Sequence, residues 1–176
     1  MHILNSTILV ALLLFSAWHD IRQYRIPNLL VFSGAIIGVL LNSLLPQDMG
    51  GLGILTSLAG LGVGLVLLLP LYLLRALGAG DIKLMAMVGA FVGPVNMLIT
   101  TVYILLAGGI LAIVVVLLKG KLPKLIDNFK IMLLMCLAGS PGMSSLSEKT
   151  GLESAVKLPY GVAIAAGTFV YLATTL

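Results

Sequence analysis

The sequence predicts an all-α, polytopic membrane protein with six transmembrane helices and an additional amphipathic helix near residues 121–137. Of its 176 residues, 60% are hydrophobic and only 9% are charged, whereas about 25% of the residues in a soluble globular domain are charged. Its mean hydropathy is +1.19. The basic residues stand in short clusters between long apolar runs, which is how membrane orientation is encoded. The net charge of +4 therefore does not indicate nucleic-acid binding.

Six apolar runs match the length of about 17 to 25 residues that a helix needs to cross a bilayer. They are residues 3–19, 28–45, 53–74, 82–99, 100–118 and 158–176. The first run has no Lys or Arg in front of it, and its charges follow it. We therefore interpret it as a retained first helix and not as a signal peptide.

The fourth and fifth runs are short for two crossings. Basic residues at both ends of the stretch 84–118 place those ends on one side of the membrane, so the stretch crosses an even number of times. At about 1.5 Å per residue it supplies only about 52 Å of helix for two spans of about 30 Å. We expect the fourth helix to be stunted or tilted, with the break at Gly93-Pro94-Val95-Asn96.

The distribution of basic residues predicts the topology. Arg22 and Arg25 lie between the first two runs, and residues 46–52 contain no basic residue. Positive charge favours the cytoplasmic side, so residues 19–27 are predicted to be cytoplasmic, and residues 46–52 and the N-terminus to be outside. The later basic residues are predicted to be cytoplasmic as well: Arg75, Lys83, Lys119, Lys121, Lys124 and Lys130.

Residues 121–137 combine an apolar stripe with polar positions beside it. The stripe at helical spacing consists of Leu122, Leu125, Ile126, Phe129, Met132, Leu133 and Cys136, with Lys121, Lys124, Asp127 and Asn128 off it. Its continuous apolar run is too short to span, which predicts a helix lying in the cytoplasmic interface. The segment 139–157, which begins GSPGMSSLSEKTG, is predicted to be a flexible cytoplasmic loop.

Three pairs of glycines are spaced four residues apart. They are Gly34 and Gly38, Gly60 and Gly64, and Gly89 and Gly93. Small residues at this spacing let membrane helices approach closely, although any single pair also fits the general richness of membrane helices in glycine. Together the pairs favour a compact bundle.

Two of the six acidic residues stand out by position. Asp20 and Asp81 each lie where an apolar run meets the predicted cytoplasmic face, whereas the other four have ordinary solvated explanations: Asp48, Asp127, Glu148 and Glu153. Ionisable groups at membrane depth are costly and mark functional sites. Two neighbouring carboxyls share a proton, so that one activates water while the other polarises a carbonyl. The pair therefore points to aspartic peptide hydrolysis.

Each aspartate also has a structural interpretation. Asp81 at the start of a helix is a common N-cap, and Asp20 near two arginines fits a juxtamembrane ion pair. Gly78 and Gly80 would give a substrate unobstructed approach to the main chain beside Asp81, and Lys83 is interpreted as an orienting charge. Cys136 is the only cysteine, so the residues offer no CxxC pair and no thiolate metal site.

The segments around both aspartates resemble a known family. DIRQYRIPN at residues 20–28 and GAGDIKLMA at residues 78–86 are similar to the two signature segments of the type IV prepilin peptidases, the GxGD class of membrane aspartic proteases. KLPYGVAIAAG at residues 157–167 is similar to the segment opening the last helix in the short prepilin peptidases of tight-adherence pilus systems. The resemblance implies one peptidase domain over residues 1–176, with Asp20 and Asp81 catalytic and Asn28, Gly78, Gly80 and Lys83 supporting the substrate.

The resemblance also implies a location and partners. These are the cytoplasmic (inner) membrane, a prepilin-like precursor cleaved at the inner face, the lipid bilayer, and pilus or secretion assembly machinery. Paired CxxC motifs, associated in the long bacterial form with N-methylation, do not occur here, so neither S-adenosylmethionine nor zinc is assigned as a cofactor. Preflagellin peptidases share the dyad and leave the substrate open. The alternatives from other classes are a small ion-coupled transporter and a non-catalytic secretion-assembly subunit.

Overall fold

A computed structural model describes residues 3–23, 25–46, 51–73, 77–118 and 159–175. Every regular element in these ranges is an α-helix, as predicted. In chain order the helices are α1 (Ile3–Gln23), α2 (Asn28–Leu44), α3 (Ile54–Leu67), α4 (Leu69–Leu73), α5 (Ala79–Val92), α6 (Pro94–Leu118) and α7 (Tyr160–Thr175). The predicted interfacial helix at 121–137 and the predicted loop at 139–157 lie outside the described residues.

Three helical segments are long and apolar enough to cross a membrane. They are Leu4–Gln23, Ile54–Leu73 and Pro94–Val115, while Asn28–Leu44 and Tyr160–Thr175 are shorter apolar helices. Large side chains project from the described surface without protein cover, with Leu29 exposed by 83% and Leu55 by 80%. Such an apolar exterior fits lipid as the solvent. Membrane character is thus confirmed, and the count of six spans stays a prediction.

The predicted break between the fourth and fifth runs is confirmed, but the boundary at 99/100 is wrong. α5 ends at Val92 and α6 begins at Pro94. Gly93 adopts φ +80°, a conformation that glycine reaches without strain, and proline is well suited to the first position of a helix. α5 has 14 residues, or about 21 Å at the helical rise, so the expected stunted helix is present.

The third predicted run, 53–74, is interrupted in the structure. α3 ends at Leu67 and α4 begins at Leu69, with a turn at Leu68. Pro70 lies just beyond this turn; proline has no N–H to donate, and its ring clashes with the carbonyl four residues earlier. The interruption therefore has a local cause.

The described residues group into two compact units. One lies within Met1–Gly109 and Pro159–Leu176, and the other within Ile110–Leu158. In the first unit the core is centred on α5, where Asp81, Ile82 and every residue from 84 to 92 are buried. The single domain predicted over 1–176 stays a prediction.

The glycine pairs lie where two helices pack on α5. On α3, a Cβ added at Gly60 would collide with the carbonyl of Gly89, and one at Gly64 would collide with the carbonyl of Met85. Main chain therefore meets main chain where α3 crosses α5. On α2, Gly34 faces the side chain of Met87 and Gly38 faces the ring of Phe91.

Buried polar side chains secure the C-terminal end of α5. Asn42 Nδ2 donates to the carbonyl oxygens of Ala90 at 2.8 Å and Phe91 at 3.2 Å. Ser57 Oγ donates to the Ala90 carbonyl at 2.6 Å, and Asn5 Nδ2 donates to Asn42 Oδ1 at 3.0 Å. The last carbonyls of a helix have no partner within the helix, so Asn42 of α2 and Ser57 of α3 satisfy the end of α5, and Asn5 of α1 binds Asn42.

Candidate active site at four helix ends

Asp20 lies in the last turn of α1 and is only 5% exposed. Its Oδ2 accepts a hydrogen bond from the backbone N–H of Gly161, at the start of α7, with a length of 2.7 Å. A buried carboxylate needs such a donor, because burial removes its hydration. The C-terminal end of α1 and the N-terminal end of α7 therefore meet at this carboxyl.

Asp81 lies in the first turn of α5 and is 9% exposed. Its Oδ2 accepts the N–H of Gly78 at 3.0 Å, and its own N–H donates to the Gly78 carbonyl at 3.1 Å. Gly78 is the N-cap residue, so Asp81 is not the N-cap itself but the third helical residue, reaching back to it. Oδ2 of Asp81 thus accepts a hydrogen bond from the start of the helix. This bond to Oδ2 is compatible with a catalytic role for Oδ1.

The two carboxyls interact electrostatically. Asp81 lies outside the three long spanning segments. Burial raises the pKa of Asp81 from its usual value of 3.8 to about 6, the Gly78 N–H opposes that rise, and the negative charge of Asp20 adds to it. A like charge acts in this way only when it is close and poorly screened. Both predicted aspartates are thus buried, and the charge of Asp20 is one contribution to the pKa of Asp81.

The two sequence motifs are also in contact. A Cβ added at Gly80 would lie 3.3 Å from the Cβ of Ile26, which belongs to the Ile-Pro-Asn segment. Lys83 Nζ donates to Asn28 Oδ1 at 2.9 Å and lies 5.3 Å from the centre of the Phe32 ring. The cation of Lys83 therefore links α5 to the start of α2.

The expected role of Gly80 as open main chain is only partly supported. Gly80 lies inside α5 against Ile26, and it is not among the glycines with positive φ. Gly78 is exposed, with extended backbone at φ −80° and ψ 155°. Open approach to main chain thus fits Gly78, while Gly80 is a packing position.

Two residues at this site were missed by sequence reasoning about chemistry. Gly161 donates a hydrogen bond to Asp20, and the neighbouring Tyr160 interacts electrostatically with Asp81. A Cβ at Gly108 would lie 2.6 Å from the Tyr160 hydroxyl, so α6 leaves room for this side chain. The only sequence signal was the resemblance of KLPYG, which gave no role to either residue.

The described site residues offer carboxyls, backbone amides and a lysine. No group of three or more His, Cys, Asp or Glu side chains suited to a metal occurs among the described residues. The feature that could support catalysis is a pair of buried carboxyls. In each carboxyl, one oxygen accepts a hydrogen bond from a backbone N–H. Such a pair holds a proton and can activate water.

Comparison with known proteins identifies a family. A model of the type IV leader peptidase family matches residues 7–113, which is more than half of the chain and includes both aspartates. α7 lies beyond the matched residues. No curated protein and no solved structure matches the chain.

Proposed function

The chain belongs to the type IV leader peptidase family, and on that premise we propose that it is an aspartic endopeptidase with Asp20 and Asp81 as its catalytic dyad. Membership makes the protein a membrane peptidase that acts on pilin-like precursors. The observation that carries the dyad is that both carboxyls are buried at helix ends and that each has one oxygen held by a backbone N–H, of Gly161 for Asp20 and of Gly78 for Asp81.

The dyad hydrolyses the peptide when it holds a single proton. The ionised carboxyl takes a proton from water as the water oxygen attacks the scissile carbonyl carbon, and the protonated carboxyl donates to the carbonyl oxygen. Collapse of the resulting tetrahedral intermediate breaks the C–N bond, and the amine leaves with a proton returned from the dyad. No metal or cofactor takes part in this scheme.

The substrate follows from the placement of the site at helix ends. Asp20 lies in the last turn of a spanning segment and Asp81 in the first turn of α5. A precursor whose apolar helix lies in the bilayer would present the bond between helix and leader at this level. We assign this end to the cytoplasmic face of the inner membrane, because the segment 19–27 carries Arg22 and Arg25, and the leader is therefore a basic one.

Substitution of either aspartate tests the dyad. Asp20→Asn and Asp81→Asn should each abolish processing of a co-expressed precursor, with the protein still present in the membrane, because a shared proton requires both carboxyls. Immunoblots of precursor and mature pilin measure the result. Asp48→Asn and Asp127→Asn are the matched controls and should process normally. Mature-length pilin in either dyad variant would favour a non-catalytic assembly subunit.

A further inference from the structure

Gly161 supplies a contact to the site from outside the matched residues. Both aspartates lie within residues 7–113, but the N–H that Asp20 Oδ2 accepts belongs to the second residue of α7. An N–H in the first turn of a helix has no carbonyl partner in that helix. The Gly161 amide is therefore available to a side chain, and Asp20 uses it.

The absence of a side chain at Gly161 matters for this contact. A Cβ added there would lie 2.8 Å from Asp20 Oδ2 and 3.2 Å from both Cβ and Cγ of Asp20. All three distances are shorter than ordinary van der Waals contact. Because the crowded atoms all belong to one side chain, the Asp20 carboxyl is what would move.

Gly167, in the same helix, provides a contrast. A Cβ there would collide with the main chain of Ile104, so its neighbour is the backbone of α6 and not a carboxyl. Both glycines are buried. One therefore packs a helix pair, while the other contacts a proposed catalytic group.

We infer that Gly161 is a positioning residue for Asp20: its N–H fixes Oδ2, and its missing side chain lets the carboxyl occupy the place from which Oδ1 acts on water or substrate. This inference rests on the proposed peptidase function. It makes the start of α7 a third part of the active site, beside the two motifs that carry the aspartates. Tyr160, the residue before Gly161, interacts electrostatically with Asp81, which agrees with this placement.

Kinetics on the purified full chain with a pilin-like precursor give the first test. Gly161→Ala should lower kcat by at least about 100-fold, the scale of a misplaced catalytic group, with KM within about twofold of the wild type. Gly167→Ala should lower thermal stability but keep kcat per folded molecule. Gly62→Ala, where a Cβ meets nothing within 4 Å, should match the wild type in both. A general packing role for α7 would give the opposite order of kcat losses.

A second test measures the contact without activity. Gly161→Ala should lower the melting temperature by about 3–10 °C when Asp20 is present, because a buried carboxylate loses a donor. In an Asp20→Ala background the same change should cost much less, since the carboxyl and its hydrogen bond are gone and only the 3.2 Å contact with the Cβ of residue 20 remains. Gly167→Ala should cost the same in both backgrounds, because position 167 does not contact position 20.

The two tests separate the inference from the proposed function. Wild-type kcat in Gly161→Ala, or an equal loss of melting temperature in both backgrounds, would overturn the positioning role. If the melting temperatures of the variants show coupling between positions 161 and 20 but the wild-type protein cleaves no precursor, the contact is upheld and the peptidase function is overturned.

Discussion

At the scale of single residues, the glycines around the site differ in what surrounds them. Gly78 is exposed, Gly80 packs on Ile26, and Gly161 packs on Asp20. A substitution at each position therefore disturbs a different neighbour. An added Cβ would meet the Asp81 carboxyl at Gly78, the Ile-Pro-Asn segment at Gly80 and the Asp20 carboxyl at Gly161, and the chemical result depends on which of them moves.

Gly80→Val should abolish cleavage while the protein still inserts and accumulates. The nearest atom to an added Cβ is already 3.3 Å away, and the two methyl groups of valine need more room still. They would push Ile26 away from the first turn of α5 and displace Asp81, with a loss of at least about 100-fold in kcat. Precursor processing and membrane content measure the two outcomes.

Gly62→Val is the control for this substitution, because a Cβ at Gly62 has open space. It carries the same β-branched side chain into α3, a helix that holds neither aspartate. Full processing by a Gly80→Val enzyme would show that the contact with Ile26 has no bearing on Asp81.

The Asp81 carboxyl should titrate near pH 6 in the wild type and at lower pH in Asp20→Asn. The Asp20 charge contributes to the raised pKa of about 6, and asparagine removes that charge. Infrared difference spectra of the carboxyl band give the titration directly. An unchanged midpoint in Asp20→Asn would mean that the two carboxyls do not interact.

The same pKa fixes the sign of a stability effect. Folding raises the pKa of Asp81 from 3.8 to about 6, so between these values the folded protein binds the proton more tightly than the unfolded chain. The contribution of Asp81 to the free energy of unfolding therefore falls as pH rises from about 4 to about 6.

The sequence predicted the two aspartates because acidic residues are rare in this chain and both occur at the ends of apolar runs. It could not predict Gly161 on physical grounds. The partner of Asp20 is 141 positions away along the chain. Every residue except proline has a backbone N–H, so residue type does not indicate which one is the donor. Nor did it predict that Gly80 is helical, since Gly-Ala-Gly favours a turn as readily as a helix start.

At the scale of elements, α5 is secured at both ends. Its first turn is held by the bond between Asp81 and Gly78 and by the Lys83 bond to Asn28. Its last turn is held by Asn42 and Ser57. Since Asp81 is part of α5, the axial position of this helix decides where the carboxyl lies.

Asn42→Leu should destabilise the protein by about 1–3 kcal/mol, because the carbonyls of Ala90 and Phe91 lose a donor in a buried setting. Ser57→Ala should cost less, since Asn42 still donates to Ala90. Thermal unfolding of the detergent-solubilised chain measures both. Ser43→Ala, at an exposed position one residue along α2, is the control. An Asn42→Leu protein as stable as the wild type would contradict this role.

The sequence predicted the break at Gly93 because Gly followed by Pro is a strong local signal. It did not predict the hydrogen bonds from Asn42 and Ser57, since the presence of a polar residue in an apolar helix does not indicate which group it binds. The interruption at Leu68 was also missed, although Pro70 stands two residues after it. A turn inside a continuous apolar run is overlooked when the span is defined only by the length of the run.

At the scale of the whole molecule, the described part of the first unit has polar groups at two levels. Asp20, Asp81, Lys83 and Gly161 lie at one end, where α1 ends and α2, α5 and α7 begin. Asn5, Asn42 and Ser57 lie at the other end of α5. The apolar exterior between them was predicted from composition. The number of spans depends on the short helices, whose lengths cannot be predicted from composition.

Thiol labelling tests the topology on which the proposed substrate depends. In a Cys136→Ala background, Gln23→Cys and Ser145→Cys should react with a membrane-impermeant reagent only after the inner membrane is opened. Gln47→Cys should react in intact spheroplasts, because residues 46–52 carry no basic residue. Gln23 is exposed and lies three residues after Asp20, so its side reports the side of the dyad. A reversed pattern would put both carboxyls at the outer face, where a basic cytoplasmic leader does not reach them, and the proposed cleavage at the inner face would lose its physical basis.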